Sequence, residues 1–165
     1  MSAECSIEKQ PENYITQAMS PPYGHLFHKF LSSNHTLRVY KGNRLVFTSD
    51  KDRLQPLVEY IERYTPCHQK VTIFDKVVGH AAALLCAKAG CKEIYSPLGS
   101  QLAIETLDRY GIRYHLTKIV PYIQKPDQKD MCPMERLSIG KQPEEFYRLV
   151  RRLSSKARIE GLTRH

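Results

Sequence analysis

Residues 71–96 read VTIFDKVVGHAAALLCAKAGCKEIYS, and this stretch decides the fold. VTIFD (71–75) is apolar without alternation, as a strand covered on both faces should be. GHAAALLCAKAG (79–90) predicts a helix closed by Gly90, because glycine accepts the left-handed conformation at a helix end. KEIYS (92–96) reads as the next strand. Strand, helix and strand in so short a span make a crossover unit with parallel strands.

The pattern continues outward in both directions. SQLAIETLDRYG (100–111) predicts a helix capped by Ser100 and closed by Gly111, and IRYHLTKIV (112–120) a further strand. Upstream, HTLRVYKGNRLVFTSD (35–50) alternates Leu37, Val39, Leu45 and Phe47 with polar residues about Gly42-Asn43, the signature of a hairpin. SDKDRLQPLVEYIERY (49–64) predicts a helix capped by Ser49 or Asp50. Its buried stripe is Leu54, Leu57, Val58 and Ile61, and Pro56 is tolerable near its first turns. PYGHLFHKFLSS (22–33) is a short helix, and PEEFYRLVRRLSSKARIEG (143–161) a C-terminal one with Pro143 near its start. The order predicts an α/β fold in three layers, α-β-α, about a mixed five-stranded sheet with helices on both faces. Residues 1–20 are expected to be a flexible lead-in ending at SPPYG, 21–140 the α/β domain, and 141–165 a basic C-terminal helix.

Composition limits the function classes. The chain has 165 residues, 41% of them hydrophobic and 25% charged, enough for a core without disulfides or metal. The longest apolar run is too short to span a bilayer, so no membrane partner is expected. The N-terminus carries Glu4 and Glu8 and no apolar signal core. Five scattered cysteines without C-x-x-C argue for a reducing compartment, and a cytoplasmic location is expected. The net charge is +8, and residues 141–165 hold seven Lys or Arg against three Glu, a net +4. Such a tail can make weak contact with nucleic acid, although a solvated helix face explains it as well.

Neither G-x-G-x-x-G nor a P-loop occurs. Parallel sheets gather their sites at the carboxyl ends of their strands, which selects three loops. FDKVVGH (74–80) offers Asp75 and Lys76 at the end of a buried strand, with Gly79 and His80 at a helix N-terminus able to hold an anion. YSPLGS (95–100) offers the hydroxyls of Ser96 and Ser100, the latter most simply a helix cap. The third loop runs into KDMCPMERL (129–137). There Cys132 stands at an N-cap and Pro133 at the first helical position, where Ser or Thr would cap better. A thiol at the positive end of a helix is held toward thiolate, with Lys129 adding to the effect and Asp130 and Glu135 opposing it. Glu135 suits a capping box or a general acid or base. Cys5, Cys67 and His68, Cys86 and Cys91 form no set with the spacing of a metal site, so no metal and no cofactor are expected.

These motifs carry a resemblance. FDKVVGHAAALLCAKAGCKEIYSPLGSQLAIETLDRYGIRY (74–114) followed by VPYIQKPDQKDMCPMERL (120–137) is similar to a small prokaryotic family, domain of unknown function 1893. D-K-V-V-G-x-A-A-A and M-C-P-M-E are its specific motifs, and the likeness runs from about Leu37 to Leu137. It implies a cytidine-deaminase-like fold, and the family pattern has lysine where this chain has His80. Zinc deamination needs H-x-E and P-C-x-x-C at two helix starts, and neither occurs here. The leading expectation is an enzyme, a transferase or hydrolase, with Cys132 as nucleophile and Asp75, Lys76 and Glu135 around it. Gly79, His80, Ser96 and Ser100 would bind an unidentified small-molecule ligand. The alternatives are a non-catalytic small-molecule or nucleotide-binding module, and a nucleic-acid-binding protein acting through its basic tail.

Overall fold

The computed structural model of the chain describes residues 23–65, 69–127 and 129–162, with side chains to residue 157. Its elements in chain order are α1 (Tyr23–Leu31), β1 (Leu37–Lys41), β2 (Arg44–Ser49), α2 (Gln55–Tyr64), β3 (Val71–Asp75), α3 (His80–Lys88), β4 (Cys91–Ser100), α4 (Gln101–Arg109), β5 (Arg113–Val120), α5 (Pro133–Ser138) and α6 (Pro143–Leu162). The five strands form one sheet in the order β2-β1-β3-β4-β5. β1 pairs antiparallel with both β2 and β3, whereas β3, β4 and β5 run parallel. The expected α/β architecture with a mixed five-stranded sheet is what the chain adopts. The lead-in at 1–20, Cys5, Cys67 and His68 lie outside the described residues.

The two faces of the sheet are covered unequally. Successive crossovers running the same way along the sheet put α3 and α4 on one face, here the inner face. There Leu37, Val39, Ile73, Ile94 and Leu116 pack against Leu57 and Ile61 of α2, Leu84 and Leu85 of α3, Leu107 of α4 and Phe146 of α6. α3 is buried nearly all round, which is why its sequence shows alanine and leucine without a polar stripe. The outer face carries α1 on an aromatic cluster. Phe74 lies 5.0 Å from Tyr40, 5.2 Å from Tyr95 and 5.5 Å from Phe27, ring centre to ring centre.

Three local readings are corrected. Leu45, expected in the hairpin's buried set, is 45% exposed. The register shifts between Val39 and Tyr40, so Phe47 faces Val39 but Leu45 faces Tyr40, and the alternation reverses side. Ser49 and Asp50 do not cap α2. That helix starts only at Gln55, with Leu54 at its N-cap and no side-chain cap. Pro56 fits only a first turn, and Arg53 takes φ 59°, outside the helical region. Finally, YSPLGS is not a loop. β4 continues through it, pairing Leu98 with Lys118, Gly99 with Ile119 and Ser100 with Val120. Gly99 permits this closeness, since a Cβ there would stand 2.5 Å from Leu116 Cδ1.

Candidate functional site

The segments that follow β3 and β5 meet α5 around one carboxylate. Glu135 is 2% exposed, yet it does not reach back to its own helix entrance. Its Oε1 accepts the backbone N–H of His80, and its Oε2 accepts the backbone N–H of Ile123 at 2.9 Å. Ile123 in turn accepts the N–H of Cys132 at 2.8 Å through its carbonyl. The first turn of α3 has no capping side chain of its own, so Glu135, 55 residues away, satisfies one of its orphan donors. Gly79 makes room for this. A Cβ at that position would lie 2.6 Å from Glu135 Oε1 and 2.7 Å from Ile123 Cγ1. Glu135 is therefore a cap in trans, and both its oxygens are engaged.

His80 is oriented by the same junction. Ser138 donates its hydroxyl to the carbonyl of Glu135 at 2.6 Å, which leaves it to accept from His80 Nδ1 at 2.7 Å. This pairing assigns the proton to Nδ1 and leaves Nε2 as the acceptor nitrogen. Burial pulls the His80 pKa below its ordinary value. Glu135 and Glu105 oppose that pull, and Arg109 reinforces it. A neutral imidazole with a defined tautomer follows. Ser138 was not foreseen, because nothing in the local sequence marks a partner 58 residues from His80.

Cys132 is half-buried and stands at the N-cap of α5, with Pro133 at the start of the helix, as the sequence suggested. Its side chain makes no capping bond, and α5 is only six residues long. The two acids that flank it in sequence are engaged elsewhere. Glu135 holds α3, and Asp130 pairs with Arg136 at 3.1 Å.

The other candidates separate. Asp75 ends β3 on the inner face and is 8% exposed. Burial raises its pKa from 3.8 to about 7, against bonds from the N–H groups of Val77 and Lys76. Lys76, the next residue, points to the outer face and donates to the carbonyls of Leu31 and Ser33, both at 3.2 Å, at the C-terminal end of α1. Ser96 is fully buried within β4. Its hydroxyl donates to Leu98 O at 2.9 Å and accepts from Leu98 N at 3.2 Å. Ser100 caps α4, accepting from Ala103 N at 3.0 Å. The structure thus joins Gly79, His80, Glu135 and the Cys132 helix, leaves Asp75 nearby on the inner face, and gives Lys76, Ser96 and Ser100 structural bonds.

Two further features went unseen in the sequence. On the outer face Glu93 is buried with His115 at 2.7 Å, Arg113 at 3.2 Å and Tyr95 at 3.2 Å, and Tyr95 stacks on His115 at 4.2 Å. Burial pushes the Glu93 carboxyl up, but these partners outweigh it and hold the pKa below its ordinary value. A shallow groove of about 300 Å³ lies at the far end of α3, lined by Glu62, Thr65, Lys88, Tyr147 and Arg151 among others. Its cations already pair with Glu144 and Glu62, and it is remote from the strand ends where titratable groups gather. Among the described residues no three His, Cys, Asp or Glu side chains group as a metal set, and no helix is long and apolar enough to cross a membrane.

Comparison with known proteins agrees with this architecture. A solved DUF1893 family protein, TM1506 from Thermotoga maritima, is similar to this chain with 29% identity and a TM-score of 0.70. The match covers 79% of this chain and 87% of that one. No curated protein matches. The family model for domain of unknown function 1893 matches residues 26–153, beyond the Leu37–Leu137 span read from the motifs and into both α1 and α6. The chain belongs to the DUF1893 family.

Proposed function

We propose that this protein is an enzyme acting on a small molecule at the carboxyl edge of its sheet, with Cys132 as nucleophile and His80 as its acid–base partner. One observation carries the reading: buried Glu135 binds the N-terminal end of α3 to the segment that leads into α5. That clamp draws the half-buried thiol and the histidine to one edge of the molecule. His80 Nε2 accepts the thiol proton, the sulfur bonds to an electrophilic carbon, and the histidine returns the proton to the group that leaves. Engagement of Asp130 with Arg136 and of Glu135 with α3 supports the reading, since both acids that flank Cys132 in sequence are held by other partners. The strand order is consistent with a cytidine-deaminase-like ancestry, but the starts of α2 and α3 carry neither the H-x-E nor the P-C-x-x-C of the zinc enzymes.

Alkylation of the folded chain as a function of pH, with labelled sites identified by mass spectrometry, tests this. Cys132 should label faster than it does in the urea-unfolded chain, and Cys132→Ser should remove the fast phase. His80→Gln should slow Cys132 labelling about fivefold or more near neutral pH, on the scale of general-base assistance. Equal rates for folded and unfolded Cys132, with no response to His80→Gln, would leave a non-catalytic binding module as the better account.

A further inference from the structure

We infer that Arg38 and Lys76 form a binding site for a doubly charged oxyanion of the phosphate class on the outer face of the sheet, where β1 begins and β3 ends. Both cations lie over the same buried ring. Arg38 Cζ is 5.8 Å from the centre of Phe30, and Lys76 Nζ is 4.8 Å from it. Neither has an acidic partner among the described residues, although most charged side chains of α2, α5 and α6 do. Asp75 cannot serve as the counter-charge. Strand alternation turns it to the inner face, and burial keeps its proton on up to about pH 7. Two half-buried positive charges are thus held near each other without compensation, and the repulsion from Arg38 adds to burial in lowering the Lys76 pKa.

Donors remain open on both side chains. Arg38 Nε donates to His35 Nδ1 at 2.9 Å, which makes that nitrogen an acceptor and leaves both Nη groups of the guanidinium without a hydrogen-bond partner among the described residues. Lys76 gives two of its three N–H groups to Leu31 O and Ser33 O. A planar guanidinium fork beside an ammonium suits a tetrahedral oxyanion, the fork binding two oxygens and the lysine a third. Two positive charges match a dianion, whereas a monocarboxylate would leave one uncompensated. The position also fits, since β3 ends there and its carboxyl end is where ligands of parallel sheets collect. The inference does not depend on the thiol chemistry proposed above.

Calorimetric titration of the full-length chain with inorganic phosphate, at pH 7.5 and constant ionic strength, tests it. Saturable one-site binding is expected, with a Kd of about 1 mM or tighter. Arg38→Gln should weaken it about tenfold or more, with Arg38→Lys recovering only part of the loss because the fork is gone. Lys92→Gln, an exposed lysine at the other end of β4, should bind as the unaltered chain does. Acetate at matched ionic strength should bind at least about tenfold more weakly than phosphate. Lys76 also holds the end of α1, so the decision rests on Arg38→Gln, with its thermal midpoint measured alongside. Unsaturable heats, equal binding by a folded Arg38→Gln variant, or acetate binding as tightly as phosphate would each overturn the assignment.

Discussion

Asp75 shows how one residue can set a pH dependence. Its carboxyl ends a strand buried on both faces, and burial raises its pKa to about 7 from 3.8. The folded state therefore retains a proton that the unfolded chain releases. Below about pH 4 both states are protonated and the group costs the fold nothing. Between about pH 4 and 7 only the unfolded chain ionises, so stability falls, and above about pH 7 the loss is complete. That loss is on the order of 2–4 kcal/mol. Asp75→Asn keeps the acceptor for Val77 N–H and removes the titration. Urea unfolding across this range should show this loss as a growing difference between the two chains, the variant being the more stable at pH 8. A difference that does not change with pH would mean that another group carries the dependence. The residue types at this edge were legible in the sequence: Asp75, Gly79, His80, Cys132 and Glu135 all stand out by position. Their partners were not. Glu135 reads locally as a capping box for its own helix, and only the approach of α3 makes it the cap of another.

Among the elements, α6 behaves differently from a basic tail. Phe146 is fully buried, and Tyr147 and Val150 are 7% and 6% exposed, within the same core as Ile73 and Leu85. Its outward charges are largely paired, Arg148 with Glu144 at 3.0 Å and Arg151 with Glu62 at 3.1 Å. The helix thus contributes apolar burial to the inner layer, and a boundary at residue 140 cuts through packed side chains. Phe146→Ala should cost about 3–5 kcal/mol. Removal of residues 141–165 should abolish cooperative unfolding by circular dichroism, since it uncovers α3 along its length. A truncated chain with a sharp transition would show that the sheet and the remaining helices suffice. The apolar positions Phe146, Leu149, Val150 and Leu153 do recur at helical spacing, so the sequence contained the stripe. Whether such a stripe packs on the core or lies apart depends on a free groove in the rest of the fold, which no local pattern reports.

At the scale of the whole molecule, a net charge of +8 invites a nucleic-acid reading, yet the described cations are dispersed and many are paired. Binding to duplex DNA should therefore be no tighter than non-specific association, a Kd of about 10⁻⁴–10⁻⁶ M at physiological salt. Fluorescence anisotropy against salt concentration measures this, and a much tighter complex with a steep salt slope would restore the tail as a functional surface. The sequence by itself determined the strand–helix–strand order, the hairpin about Gly42, the helix ends at Gly90 and Gly111, and the thiol at the entrance of α5. Each of these follows from residues close together in the chain: apolar periodicity, a glycine at positive φ, a proline in a first turn. Tertiary structure alone decided that β4 runs on through Ser96 and Pro97, that Leu45 turns outward, that His80 pairs with Ser138, and that Lys76 and Asp75 face opposite sides of the sheet with different tasks. These depend on strand register and on contacts 40 to 60 residues apart, where the energy lies in burial and hydrogen bonding between elements that carry no mark of each other in the chain.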